Sequence, residues 1–141
     1  MDTKYRLNLQ TQQVIEAAKT LAARFGHTAV DSGHLLLTIL NNADSKAYIV
    51  MESMGIQLYE VENAYKKMNP FLGRFVDSID LSGELTRALN NAELKAESSH
   101  NTISLQELFE AIFTDSHSIA VKTIESLGYP IETVISEMRG M

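Results

Sequence analysis

The stretch Glu52-Ser53-Met54-Gly55 returns as Glu125-Ser126-Leu127-Gly128, at an offset of 73 positions. The same offset sets His27 on His100, Val30 on Ile103, Leu35 on Leu108 and Leu36 on Phe109. It continues with Ile39 on Ile112, Leu40 on Phe113, Ala47 on Ala120 and Met51 on Ile124. Upstream the offset becomes 74, so that Asn8 meets Ser82, Ala18 meets Ala92 and Ala22 meets Ala96. Apolar positions fall on apolar ones, candidate caps on caps and the closing glycines on each other. The chain is therefore read as a tandem duplication. A unit this short buries its apolar faces poorly alone, so the two halves are expected to pack together with approximate two-fold symmetry.

Each unit reads as helical. Val14, Ala18, Leu21, Ala22 and Phe25 follow the three- and four-residue spacing of one buried helix face. Asn8 is placed to cap that helix and Gly26 to end it. Asp31 and Ser32 precede the next apolar run, Asp44 or Ser45 begins a third helix closed by Gly55, and a fourth spans about Leu58 to Met68. In the second unit Ser82 takes the place of Asn8, and Ser104-Leu105-Gln106-Glu107 forms a capping box. Ser116 is expected to open the helix that Gly128 closes, and Pro130 to sit in the first turn of the last one. Strand-like alternation is missing. The expected fold is all-α, with eight helices in two four-helix repeats at about 6–68 and 81–138, joined by a connector at about 69–80, within a single domain over 1–141.

Composition narrows the function. Cysteine is absent, which removes disulfide and thiolate chemistry and fits a reducing compartment. No apolar run approaches the ~20 residues that span a bilayer, and the first residues show no apolar signal-peptide core. A cytoplasmic protein with no membrane partner is the expectation. Residues 1–68 carry seven basic and seven acidic side chains, whereas residues 69–141 carry five and eleven. An acidic half argues against nucleic acid, whose phosphates call for clustered Lys and Arg. It suits a basic patch on a protein partner, or equally a solvated surface that aids solubility.

Ala17 to Leu40, AAKTLAARFGHTAVDSGHLLLTIL, resembles the Clp repeat pattern A-x-x-x-A-x-x-x-G-H-x-x-V/I-x-x-E-H-L-L-L-x-L-L. The endings Ala47–Gly55 and Ala120–Gly128 are similar to its A-x-x-x-L-x-x-x-G element. The second repeat departs from the pattern: no Gly precedes His100, and Glu107 stands where the family has His. The resemblance is to the N-terminal domain of AAA+ unfoldases of the ClpA, ClpC and ClpB kind. It implies a non-catalytic module that docks adaptor proteins and unfolded or tagged substrates, with an AAA+ ring in cis if the chain is a fragment. The alternative is a stand-alone Clp-domain ligand-binding or regulatory protein. None of the seven glycines precedes a lysine, so no phosphate loop is present in this sequence.

Some relatives of the ClpC type bind phosphoarginine in two symmetry-related pockets through an acidic residue before the family His. A carboxylate there can accept two parallel N–H bonds from the guanidinium fork. The corresponding positions here are Gly33 and Gln106, neither of which carries charge, so weak or absent phosphoarginine binding is expected. No cofactor is expected. His27, His34, His100 and His117 show no metal-ligand spacing, and His34 is read as bonding locally at a helix start. Partner binding is assigned to Arg6, Asp31, Ser32 and Gly33, with counterparts at Ser82, Ser104, Gln106 and Glu107. Phe71 and Phe75 of the connector are candidates for an apolar groove between the repeats.

Overall fold

The computed structural model of the chain describes residues 5–42, 45–99 and 102–140. Its helices are α1 (Leu9–Arg24), α2 (Ser32–Leu40), α3 (Lys46–Ser53), α4 (Leu58–Met68), α5 (Gly83–Ser99), α6 (Leu105–Phe113), α7 (Ile119–Ser126) and α8 (Ile131–Arg139). The order of the first four is repeated by the second four. Two short strands complete it, β1 (Ala29–Val30) and β2 (Asp80–Leu81). Asp44 and the pairing of His27 with His100 lie outside the described residues.

The helix boundaries follow from the caps. Asn8 accepts the Thr11 N–H at 2.9 Å, and Ser82 accepts the Leu85 N–H at 3.2 Å, at matching places in the two repeats. Asp31 and Ser104 cap α2 and α6 with capping boxes of different chemistry. In α6 the Ser104 N–H donates to Glu107 at 2.9 Å; in α2 the Asp31 N–H donates to His34 Nδ1 at 3.0 Å. His34 and Glu107 thus do the same job. Gly26, Gly55 and Gly128 have φ near +80°, where a side chain is strained, and each follows a helix end. The start of α7 differs from expectation. Ser118, not Ser116, caps it by accepting the Val121 N–H, which matches Ser45 accepting from Tyr48 at the start of α3. Pro130 also sits one place earlier than expected, as the residue preceding α8.

The two repeats interlock. β1, leading into α2, pairs in parallel with β2, leading into α5, in the register Val30 to Leu81. Leu7, leading into α1, forms a parallel bridge with Ile103, leading into α6. By the offsets of 73 and 74, each pairing is the symmetry mate of the other. These strands are too short to produce a period-two pattern, which is why none shows in the sequence. Across the molecule α2 packs on α7 and α6 on α3, again as mates, and α4 packs on α7 while α8 packs on α3. The core between them is continuous, built on Leu35, Leu36, Ile39 and Met51 from one side and Leu108, Phe109, Ile112 and Ile124 from the other. Each such fully buried side chain contributes roughly 1.5–3 kcal/mol of transfer free energy.

Candidate functional site

Three regions bear on binding: the joint between α2 and α7, its mate between α6 and α3, and the connector with the adjoining face of α4.

The first joint is closed. Ser32 is fully buried, and its Oγ donates to Glu84 Oε1 at 2.5 Å while its N–H donates to Glu84 Oε2 at 3.1 Å. The Ile119 N–H donates to the same carboxylate at 2.8 Å, and the Ala120 N–H donates to Ser32 Oγ at 2.9 Å. The carboxylate therefore sits across the starts of two helices from different repeats, where the exposed N–H groups favour negative charge. Gly33 is covered by Tyr65, whose ring would lie 2.3 Å from a Cβ at that position.

Behind Tyr65 runs a buried polar chain. Asn69 donates to Tyr65 Oη at 2.9 Å, and the Tyr65 hydroxyl donates to Asp31 Oδ2 at 3.0 Å. Because His34 Nδ1 accepts from Asp31 N–H, its proton resides on Nε2, which lies 2.9 Å from His27 Nδ1. His27 Nε2 in turn donates to the Pro70 carbonyl at 3.0 Å. Burial, with His27 nearby, pushes the His34 pKa down to about 3, so His34 and Asp31 form no ion pair near neutrality. Burial raises the Asp31 pKa against the lowering effect of the Tyr65, His34 and Gly33 bonds, and burial foremost raises that of Tyr65. Ser32 is committed to Glu84 rather than to His34, so Asp31, Ser32 and His34 do not form a nucleophile–base pair.

The second joint is open. A cavity of about 280 Å³ is lined by Gln10, Lys46, Ala47, Ser104, Leu105 and Gln106. Gln10 is the counterpart of Glu84, and Lys46 and Ala47 are those of Ile119 and Ala120. Gln106 turns away to donate from Nε2 to the Met138 carbonyl at 2.6 Å. Met138 is itself the counterpart of Tyr65.

The connector lies over the end of α1. The Leu72 N–H donates to Phe25 O at 2.7 Å, Arg74 Nε donates to Gly26 O at 2.7 Å, and Phe71 stacks on Phe25 with centroids 3.7 Å apart. A Cβ on Gly26 would meet the Leu72 carbonyl at 2.0 Å, so this close approach needs glycine. Phe71 thus belongs to the edge of the core, whereas Phe75 is 88% exposed. Tyr59, Met68 and Leu72 are also exposed, and a groove of about 310 Å³ between α4 and α7 is lined by Tyr59, Ala64, Lys67, Met68 and Leu127 among others.

Of the residues singled out from the sequence, Asp31, Ser32 and Gly33 converge at the closed joint and are buried. Ser104 and Gln106 border the open one, with Glu107 one position further on in the α6 cap. Arg6 is exposed and pairs with Glu93 at 3.6 Å, and Ser82 serves as the α5 cap. Sequence reasoning missed Glu84 and Tyr65. Their signal was the mismatch with their counterparts, Gln10 and Met138. Among the described residues no group of His, Asp and Glu is arranged to hold a metal ion.

Two interlocked four-helix repeats, with exchanged strand pairs and matched joints, define the Clp repeat architecture. The chain belongs to the Clp repeat (R) N-terminal domain family, whose model matches residues 6–137. It is 30% identical over 127 residues to the chloroplastic chaperone protein ClpC2 of Oryza sativa subsp. japonica, covering 82% of this chain and 13% of that protein. It thus spans about an eighth of that relative's length. Among solved structures, the N-terminal domain of ClpD from Arabidopsis thaliana superposes with a TM-score of 0.75 at 16% identity, over 96% of each chain. The ClpV N-domain in complex with a VipB peptide gives 0.68 at 21% identity, over 94% of this chain and 88% of that one.

Proposed function

We propose that this chain is a recruiting module of a Clp-type ATP-dependent unfoldase, docking adaptor proteins or unfolded segments and performing no chemistry itself. The observation that carries this reading is the apolar surface left in solvent on α4 and the connector: Phe75 at 88% exposure, Tyr59 at 66%, and Met68 and Leu72 at 43% and 45%. Phe75 stands clear of the core although its neighbours Phe71 and Leu72 are anchored, and an aromatic side chain kept in water in this way is a feature of interaction surfaces. The ClpV N-domain, with the same fold, takes a peptide from VipB, which supports a peptide or protein as the class of ligand. Phosphoarginine is outside the proposed ligands, because Gly33 lies under Tyr65 and Gln106 is tied to Met138.

The test is affinity capture with the wild-type domain and its Phe75→Ser and Met68→Ser variants, followed by mass spectrometry. Phe75 is almost wholly solvated, so Phe75→Ser should remain within about 0.5 kcal/mol of the wild type in stability, and Met68→Ser, at a side chain 43% exposed, within about 1 kcal/mol. Proteins held by the wild type and lost from both variants support the reading. One protein at near-equal stoichiometry identifies an adaptor, and a diffuse set identifies direct capture of unfolded chains. Identical retention by all three baits overturns the assignment of this surface.

A further inference from the structure

The geometry points to a latch: the starts of α2 and α7 form a carboxylate receptor that Glu84 occupies in cis, holding the two repeats together and closing the first of two equivalent joints.

Four observations carry it. Glu84 lies in the first turn of α5, yet its carboxylate reaches out to accept from the Ser32 N–H and hydroxyl and from the Ile119 N–H. Ser32 Oγ passes the arrangement on by accepting from the Ala120 N–H. Glu84 takes part in no ion pair among the described residues, so its charge is balanced by helix starts and a hydroxyl rather than by a cation. The corresponding joint has Gln10 in place of Glu84 and Leu105 in place of Ser32, and there a cavity of about 280 Å³ remains. Where the carboxylate and hydroxyl are present the joint is filled; where both are missing it stays open. Glu84 therefore acts as a built-in ligand, and a foreign carboxylate reaches the first joint only by displacing it.

The latch can be tested by emptying it. Glu84→Ala leaves two N–H groups and one hydroxyl without their acceptor, and its Tm should fall by roughly 5–10 °C in sodium chloride. Sodium acetate at equal ionic strength should then restore at least half of that loss, as acetate enters the vacated site. Wild type and Glu132→Ala, in which an exposed α8 carboxylate is removed, set the general effect of acetate on Tm. Recovery specific to Glu84→Ala establishes the receptor. An unchanged Tm, or parallel responses to acetate in all three proteins, overturns it. If Glu84→Ala does not fold, Glu84→Gln and Ser32→Ala replace it in a double-mutant cycle read by urea unfolding. The latch requires the double variant to lose less than the two single losses combined; strict additivity rejects it.

Discussion

The joint between α2 and α7 and the joint between α6 and α3 are built from matching backbone, yet they are finished in opposite ways. In the first, a glycine at position 33 makes room for the Tyr65 ring, and Glu84 and Ser32 supply a charge and a hydroxyl. In the second, Gln106 replaces the glycine, Met138 replaces the tyrosine, and Gln10 and Leu105 replace the polar pair. Bulk and charge have moved together between equivalent positions. After duplication a repeat needs only to preserve total packing and hydrogen-bond satisfaction at each joint, and small–large pairs can be exchanged as units. The difference leaves one joint sealed and the other accessible on a single scaffold.

The comparison is broken most readily at Gly33. In Gly33→Ala the new Cβ must displace a fully buried Tyr65 ring, and we expect a loss of about 3 kcal/mol by urea unfolding. The matching change Gln106→Ala removes a half-buried side chain and one bond, and should cost about 1 kcal/mol. Equal costs would mean that the two joints are equally tight.

Acid supplies the next contrast. His34 has its pKa lowered in the fold to about 3, whereas the unfolded chain binds the proton near 6.5. Between those values the unfolded state holds more protons, so stability falls as pH drops from about 6.5 towards 3. Asp31, with its raised pKa, acts in the opposite sense just above 3.8 and blunts the lower end of the fall. The expected loss between pH 6.5 and 4.5 is about 2 kcal/mol. His34→Gln, which keeps an acceptor for the Asp31 N–H, should flatten this slope. A slope unchanged in that variant would remove His34 as its source. The second repeat carries Glu107 at this position, so Glu107→Gln leaves the histidine contribution intact.

The smallest change sharpens the comparison from the other side. Gln10→Glu places a carboxylate where Glu84 has its counterpart, next to the starts of α3 and α6, and should add about 0.5–1 kcal/mol. A loss of stability would show that the second joint is not shaped to receive one.

The helices and their pairing across the repeats were legible because they depend on period and offset. The positions of Leu35, Ile39, Leu108 and Ile112 declare both a helix face and a place in the duplicate. Caps were legible where the residue is unambiguous, as at Asn8 and Ser104. They slipped where serines crowd together: Ser116 and Ser118 offer the same chemistry, and only the match to Ser45 separates them. The joints were not legible. Glu84 in a first turn reads as an ordinary helix-start acid, and nothing local tells that its partners are Ser32 and Ile119. Likewise Phe71 and Phe75 are alike in sequence, and only the carbonyl of Phe25 and the close approach at Gly26 decide which of the two is held down.

The exchanged strand pairs have a kinetic consequence. Thr11 reaches the Ile103 carbonyl across 92 positions of chain, and β1 waits for β2 beyond the whole of α2, α3 and α4. Neither repeat can complete its own helix-leading segments before the other has emerged, so folding is limited by closure of long loops rather than by helix formation. A backbone cut in the connector, between Gly73 and Arg74, would yield two fragments that are each incomplete yet mutually templating. Mixed, they should regain structure in a concentration-dependent manner, as a dimer of unlike halves does.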